Sequence, residues 1–157
     1  MRNLLLLAAV ALACAAGATT ARAASDPAAA VKADVEKLLA DATTLHDAIK
    51  TDADKITADV QALQGTTDRK AALTTLRADW QKVQSDRKEL LPPVQADWAQ
   101  LKTDLQALRT AKAGSADLRS ALEQMREALK LQRDAVHQAL ETAHQAVQAL
   151  RGTFKRK

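Results

Sequence analysis

Three histidines, His46, His137 and His144, are the side chains best suited to metal binding or proton transfer near neutral pH. His137 and His144 stand seven residues apart. On a helix that separates their rings by about 10 Å along the axis, whereas a helical zinc pair uses a spacing of three or four. Each follows an apolar position, Val136 or Ala143, so both read as half-wet flanking side chains. Ser25, Ser85, Ser115 and Ser120 have no histidine nearby in sequence to serve as base, and three of them suit helix ends. Asp52 and Asp54 form a carboxylate pair, but a solvated helix face gives neither a reason to shift its pKa. Gly65, Gly114 and Gly152 are single residues, not a phosphate-cradling loop. The sequence therefore predicts no catalytic residue, no cofactor-binding residue and no metal ligand, in a protein that is not an enzyme.

The remaining chemistry is electrostatic. Arg151, Lys155, Arg156 and Lys157 gather at the end of the chain around Phe154, with no acidic residue after Glu141. That composition suits weak, salt-sensitive contact with envelope phosphates or anionic lipid, each basic group adding about 1 kcal/mol near such a surface. The ending is similar to the aromatic-Arg-Lys terminus of Braun-type envelope lipoproteins, with Lys155 intervening, a likeness that implies attachment to peptidoglycan through the last lysine.

Those residues belong to an exported chain. Arg2 followed by the apolar run Leu4 to Ala16 and the small-x-small triplet Ala21-Arg22-Ala23 reads as a signal peptide over 1–23, too short to span a bilayer. Residues 24–157 are then one periplasmic domain. The only cysteine, Cys14, lies inside the signal, and Ala11 and Leu12 stand in the wrong order for lipid attachment there. Without the signal, 21 basic residues face 19 acidic ones. Residues 26–64 carry a net −4, while 65–112 and 113–157 each carry +3. An acidic first segment beside two basic ones suits internal pairing, not a nucleic-acid footprint with its single basic face and aromatic stackers.

Periodicity supplies the elements. Apolar residues step by threes and fours through Val31, Val35, Leu38, Ala42, Leu45, Ile49, Ala53, Ile56, Val60 and Leu63, the seam of a packed helix. Leu73, Leu76, Trp80, Val83 and Leu90 continue it, with Arg87 at a polar seam position; Val94, Trp98, Leu101, Leu105 and Leu108 follow. The last run is Leu118, Leu122, Met125, Leu129, Val136, Leu140, Ala143, Val147, Leu150 and Phe154. Helices are expected at about 26–64, 68–90, 93–112 and 115–151, with a basic tail at 152–157. Pro92 and Pro93 remove two backbone donors and disfavour helical geometry in the residue before each, so the sequence predicts a break there. The fold class is all-α: an elongated antiparallel bundle of three rods with heptad packing, the middle rod broken at Pro92-Pro93, with a four-helix hairpin as the alternative. Trp80 and Trp98 lie 18 residues apart, five helical turns, and are expected on the core face of the kinked rod.

An apolar-x-Ala-Asp-apolar echo recurs at Asp34, Asp59, Asp79 and Asp97, without the fixed period of a solenoid. Asp34, Asp47, Asp52 and Asp79 each precede a lysine by three, a pairing expected on a solvated face. The chain resembles small exported chaperones of the Spy type in size and helix content but lacks their Leu-Thr-x-x-Gln signature. The functional expectation is a non-catalytic, chaperone-like protein binding through amphipathic helical surfaces. Its partner is another protein or an envelope component, not nucleic acid; membrane contact is at most peripheral, and self-association stays open. The alternative is an envelope-associated structural protein that contacts peptidoglycan, lipopolysaccharide or anionic lipid through its tail.

Overall fold

The computed structural model describes residues 26–112 and 115–156, with side chains as far as Phe154. The expected signal peptide, Cys14 and Lys157 lie outside them. The described chain is all-helical: α1 spans Pro27–Ala62, α2 Arg69–Ala111 and α3 Ala116–Arg156. At about 1.5 Å per residue each is roughly 55–65 Å long.

Local chemistry sets the ends. Asp26 accepts from the Ala28 amide at 3.0 Å, with Pro27 in the first turn, where its missing N–H costs nothing. Gly65, at φ +89, makes the left-handed turn after α1. Asp68 then caps α2 by accepting from Ala71 N at 2.9 Å. Lys112, at φ 55, closes α2, and the Ser115 hydroxyl accepts from Leu118 N at 3.2 Å to open α3.

The core is the seam of α1. Val31, Val35, Leu38, Ala42, Leu45, Ile49, Ala53, Ile56 and Val60 are all buried. They meet Leu76, Val83, Val94, Leu101 and Leu108 from α2 and Leu118, Met125, Ala143, Val147 and Leu150 from α3. Burying each large aliphatic side chain contributes about 1.5–3 kcal/mol, far more than any surface pair. Lys37 reaches Asp97 and Lys55 reaches Asp79, so α1 and α2 run antiparallel. α3 runs parallel to α1: Asp26 and Lys32 line a cleft with Leu118 and Gln124, and Gln132 donates to Thr43 at 2.7 Å. α1 packs closely on both partners, whereas α2 and α3 scarcely approach each other.

Two expectations are corrected. α2 passes through Pro92 and Pro93 as one helix. The carbonyls that lose donors belong to Lys88 and Glu89, which are exposed, as are both prolines, so water can satisfy them. Buried Val83 and Val94 meanwhile hold the flanking turns on the unbroken α1. At the other end α3 does not stop at 151 but continues through Gly152 to Arg156, and Phe154 packs partly against the core.

The aspartate echo brings a third correction. Asp79 and Asp97 are not solvated: they are only 8% and 7% exposed. They lead a motif, Asp-x-x-Lys-x-x-x-Asp, that occurs at 34–41, 52–59 and 79–86 and, with Gln100 for lysine, at 97–104. The copies on each helix are 18 residues apart, and stepping 18 residues along α1 is matched by 18 back along α2. Lys37 bridges Asp41 at 2.9 Å to Asp97 across the interface; Lys55 bridges Asp59 and Asp79, both at 2.6 Å. Lys82 pairs with Asp86 and stands close to Asp52. Gln100 donates to Asp104 at 3.1 Å. The hairpin is thus stitched by two copies of one polar unit.

Candidate functional site

The face left over is the one between α2 and α3. Both helices are basic and α1 is acidic, so attraction draws each to α1 while repulsion works against closing the third seam. Trp80 lines a cleft with Val147 and Phe154 of α3, which fixes the α3-facing side of α2. Trp98, five turns further along the same helix, lies on that side too. Expected in the core, it is 45% exposed, in a cleft lined by residues of its own helix such as Leu101, Leu105 and Arg109. Leu91 and Leu105 on α2, and Leu122, Leu129, Val136 and Leu140 on α3, are only half-buried. Between Met125 and Ala143 no residue of α3 is fully buried, and Arg87 opposite is exposed. Leu131, 69% exposed, points away from this seam by its helical phase and is an isolated surface leucine.

Midway along its length the apolar α1–α3 interface is joined by polar contacts. The His46 ring Nδ1–H donates to Gln132 Oε1 at 2.9 Å, and Gln132 donates in turn to Thr43. His137 is 3.9 Å from Glu141 on the exposed face, and His144 Nε2 stands 2.7 Å from the Gln148 amide nitrogen. Among the described residues no three of His, Cys, Asp and Glu stand together as a metal ion would require. No described helix is long and apolar enough to cross a membrane.

The predicted site residues separate in space. Arg151 and Phe154 lie beside Trp80 at the end of the molecule where α1 turns into α2. Trp98 is far along α2, and Pro92 and Pro93 lie exposed between the two tryptophans. Lys155 and Arg156 belong to the last turn of α3. Sequence reasoning missed Arg69 and Arg77, which join Arg151 at the same cleft. The signal available was their spacing of eight, which brings two arginines to neighbouring strips of one helix near its start.

The interface lysines are tuned by these contacts. Asp97 and Asp41 raise the pKa of Lys37, and Asp59 and Asp79 raise that of Lys55. Lys37 and Lys55 lower Asp41 and Asp59 respectively. Burial pushes Asp52 up, the Lys82 charge opposing and the Asp86 carboxylate adding to the rise. The Lys37 and Lys55 contacts join α1 to α2. Compared with known protein families, with curated proteins and with solved structures, the chain matches none.

Proposed function

We propose that this is an exported, non-catalytic helical protein that binds amphipathic segments of other polypeptides along the α2–α3 seam, in the manner of a chaperone. One observation carries the reading: one side of the helical molecule leaves its apolar residues half-covered, with Trp98 45% exposed. A helix presenting apolar residues at three- and four-residue spacing is the shape that such a slot accepts. The basic character of α2 and α3 favours acidic flanks on that segment.

The test is suppression of aggregation of a reduced, unfolding secreted protein by the purified chain. Trp98→Ser is expected to lower the suppression several-fold, and Leu131→Ser, which removes an apolar group outside the seam, to leave it unchanged. Equal loss from both substitutions, or none from Trp98→Ser, would remove the seam as the binding surface. A second reading, association with the anionic envelope through the end that carries Arg151, Lys155 and Arg156, is favoured by the gathering of Arg69, Arg77 and Arg151 there.

A further inference from the structure

The cleft at that end is more than a basic patch. It encloses about 480 Å³ between the first three turns of α2 and the last turns of α3, within the size range of small-molecule sites. Arg69, Arg77 and Arg151 line it together with the apolar surfaces of Trp80, Val147 and Phe154. No carboxylate lines it. Asp68, next to Arg69 in sequence, is engaged in capping Ala71 N, and Asp79, next to Trp80, faces α1 and holds Lys55. Among the described residues none of the three arginines makes an ion pair or a side-chain hydrogen bond. A larger neighbouring cleft of about 790 Å³, on the other side of Phe154, is lined by Thr57, Gln61, Gln64 and Gln145 and by no charged group. Charge and apolar surface therefore coincide only on the α2–α3 side of this end.

We propose that this cleft binds a single-chain anionic amphiphile, a lipid with a phosphate head, one molecule at a time. The phosphate would take the guanidiniums, whose planar forks match its oxygens two by two. The alkyl chain would lie over Leu73, Trp80 and Phe154, removing from water apolar surface that the bundle leaves half-covered. This deepens the second reading above by naming its ligand, and it differs from surface attraction in being stoichiometric and in requiring the chain as well as the charge.

Trp98→Phe leaves Trp80 as the sole tryptophan of the chain, a reporter inside the cleft. Dodecyl phosphate, added below its micelle concentration, is expected to shift Trp80 emission saturably. Arg77→Gln with Arg151→Gln is expected to weaken this binding at least tenfold, and raised salt to weaken it further. Both arginines are exposed, so helicity by circular dichroism should be unchanged, and Arg69→Gln alone gives an independent second variant. An equal response to dodecyl maltoside would show that charge is irrelevant; an equal response to inorganic phosphate would show that the chain is. Either overturns the proposal, as does unweakened binding in both arginine variants. Co-sedimentation with anionic vesicles by a protein that ignores monomeric dodecyl phosphate would keep the envelope reading and remove this site.

Discussion

Asp52 is the carboxylate whose ionisation the fold opposes. Burial is the largest cause, and the neighbouring Asp86 carboxylate adds to it against the attraction of Lys82. A folded-state pKa above the unfolded one contributes stability that is full below the ordinary carboxylate range and is lost as pH rises through the raised value. Asp52→Asn is therefore expected to raise the Tm at pH 7, with the gain disappearing below about pH 4; a gain that persists in acid would point to packing. Asp41 and Asp59 have the opposite sign. Their pKa values are depressed by Lys37 and Lys55, so their contribution is present above about pH 4 and fades as pH falls through the depressed values. Little of this was legible in the sequence. The seam of α1 was readable residue by residue because burial there follows one period, but the echo at Ala-Asp grouped Asp59 with Asp34, Asp79 and Asp97. The true equivalent is Asp52, found by following the lysine three residues on and the aspartate four beyond it. Trp98 shows a different limit: its phase matches that of half-buried Trp80, yet it is 45% exposed, because cover depends on what the neighbouring helix brings to that level, which no local pattern encodes. Emission from a Trp80→Phe protein, reporting Trp98 alone, should accordingly lie to the red of that from Trp98→Phe.

Among the elements, α2 shows how packing overrides a local rule. A proline in a helix interior costs about 3 kcal/mol relative to alanine, and two in succession are enough to end an unsupported helix. Here α1 runs uninterrupted alongside, and Leu38, Ala42 and Leu45 present a continuous buried strip to both halves of α2. Breaking α2 would uncover that strip, whereas keeping it costs two backbone hydrogen bonds on a face that water reaches. Pro92→Ala with Pro93→Ala is thus expected to stabilise the protein by at least about 2 kcal/mol in denaturant melts, with helicity no lower than before. A loss of stability would mean that the bundle depends on a bend at the prolines. The helix starts and stops were readable, because Asp26, Gly65, Asp68 and Ser115 act through their own short-range chemistry. The end of α3 was not, because Phe154 draws Gly152 and Thr153 into the helix by packing, and that contact exists only in the folded molecule.

At the scale of the whole molecule the question is what selects one register for two helices of about 36 and 43 residues whose apolar seams alone would tolerate sliding. The polar units answer it. A slide by one or two heptads keeps apolar residues facing apolar residues, but it takes Asp79 and Asp97 away from Lys55 and Lys37 and leaves carboxylates in the interface uncompensated. Oδ2 of Asp79 and of Asp97 is already buried with no hydrogen-bond partner among the described residues, so the lysine at Oδ1 is what makes burial tolerable. Removing one side of such a contact, as in Asp97→Ala, should destabilise by about 1 kcal/mol, since Lys37 remains largely in water. Removing the carboxylates in favour of apolar side chains should act differently. Asp79→Leu with Asp97→Leu extends the seam, eliminates the desolvation cost and is expected to hold or raise the Tm. The expected loss is in specificity: with the register marks gone, slipped and intermolecular α1–α2 pairings become competitive. Light scattering after size exclusion should then resolve a broader distribution of masses than the unaltered protein gives. A doubly substituted protein that is as uniform in mass as its parent would show that apolar packing and the short α1–α2 turn suffice, and that the buried aspartates set no register.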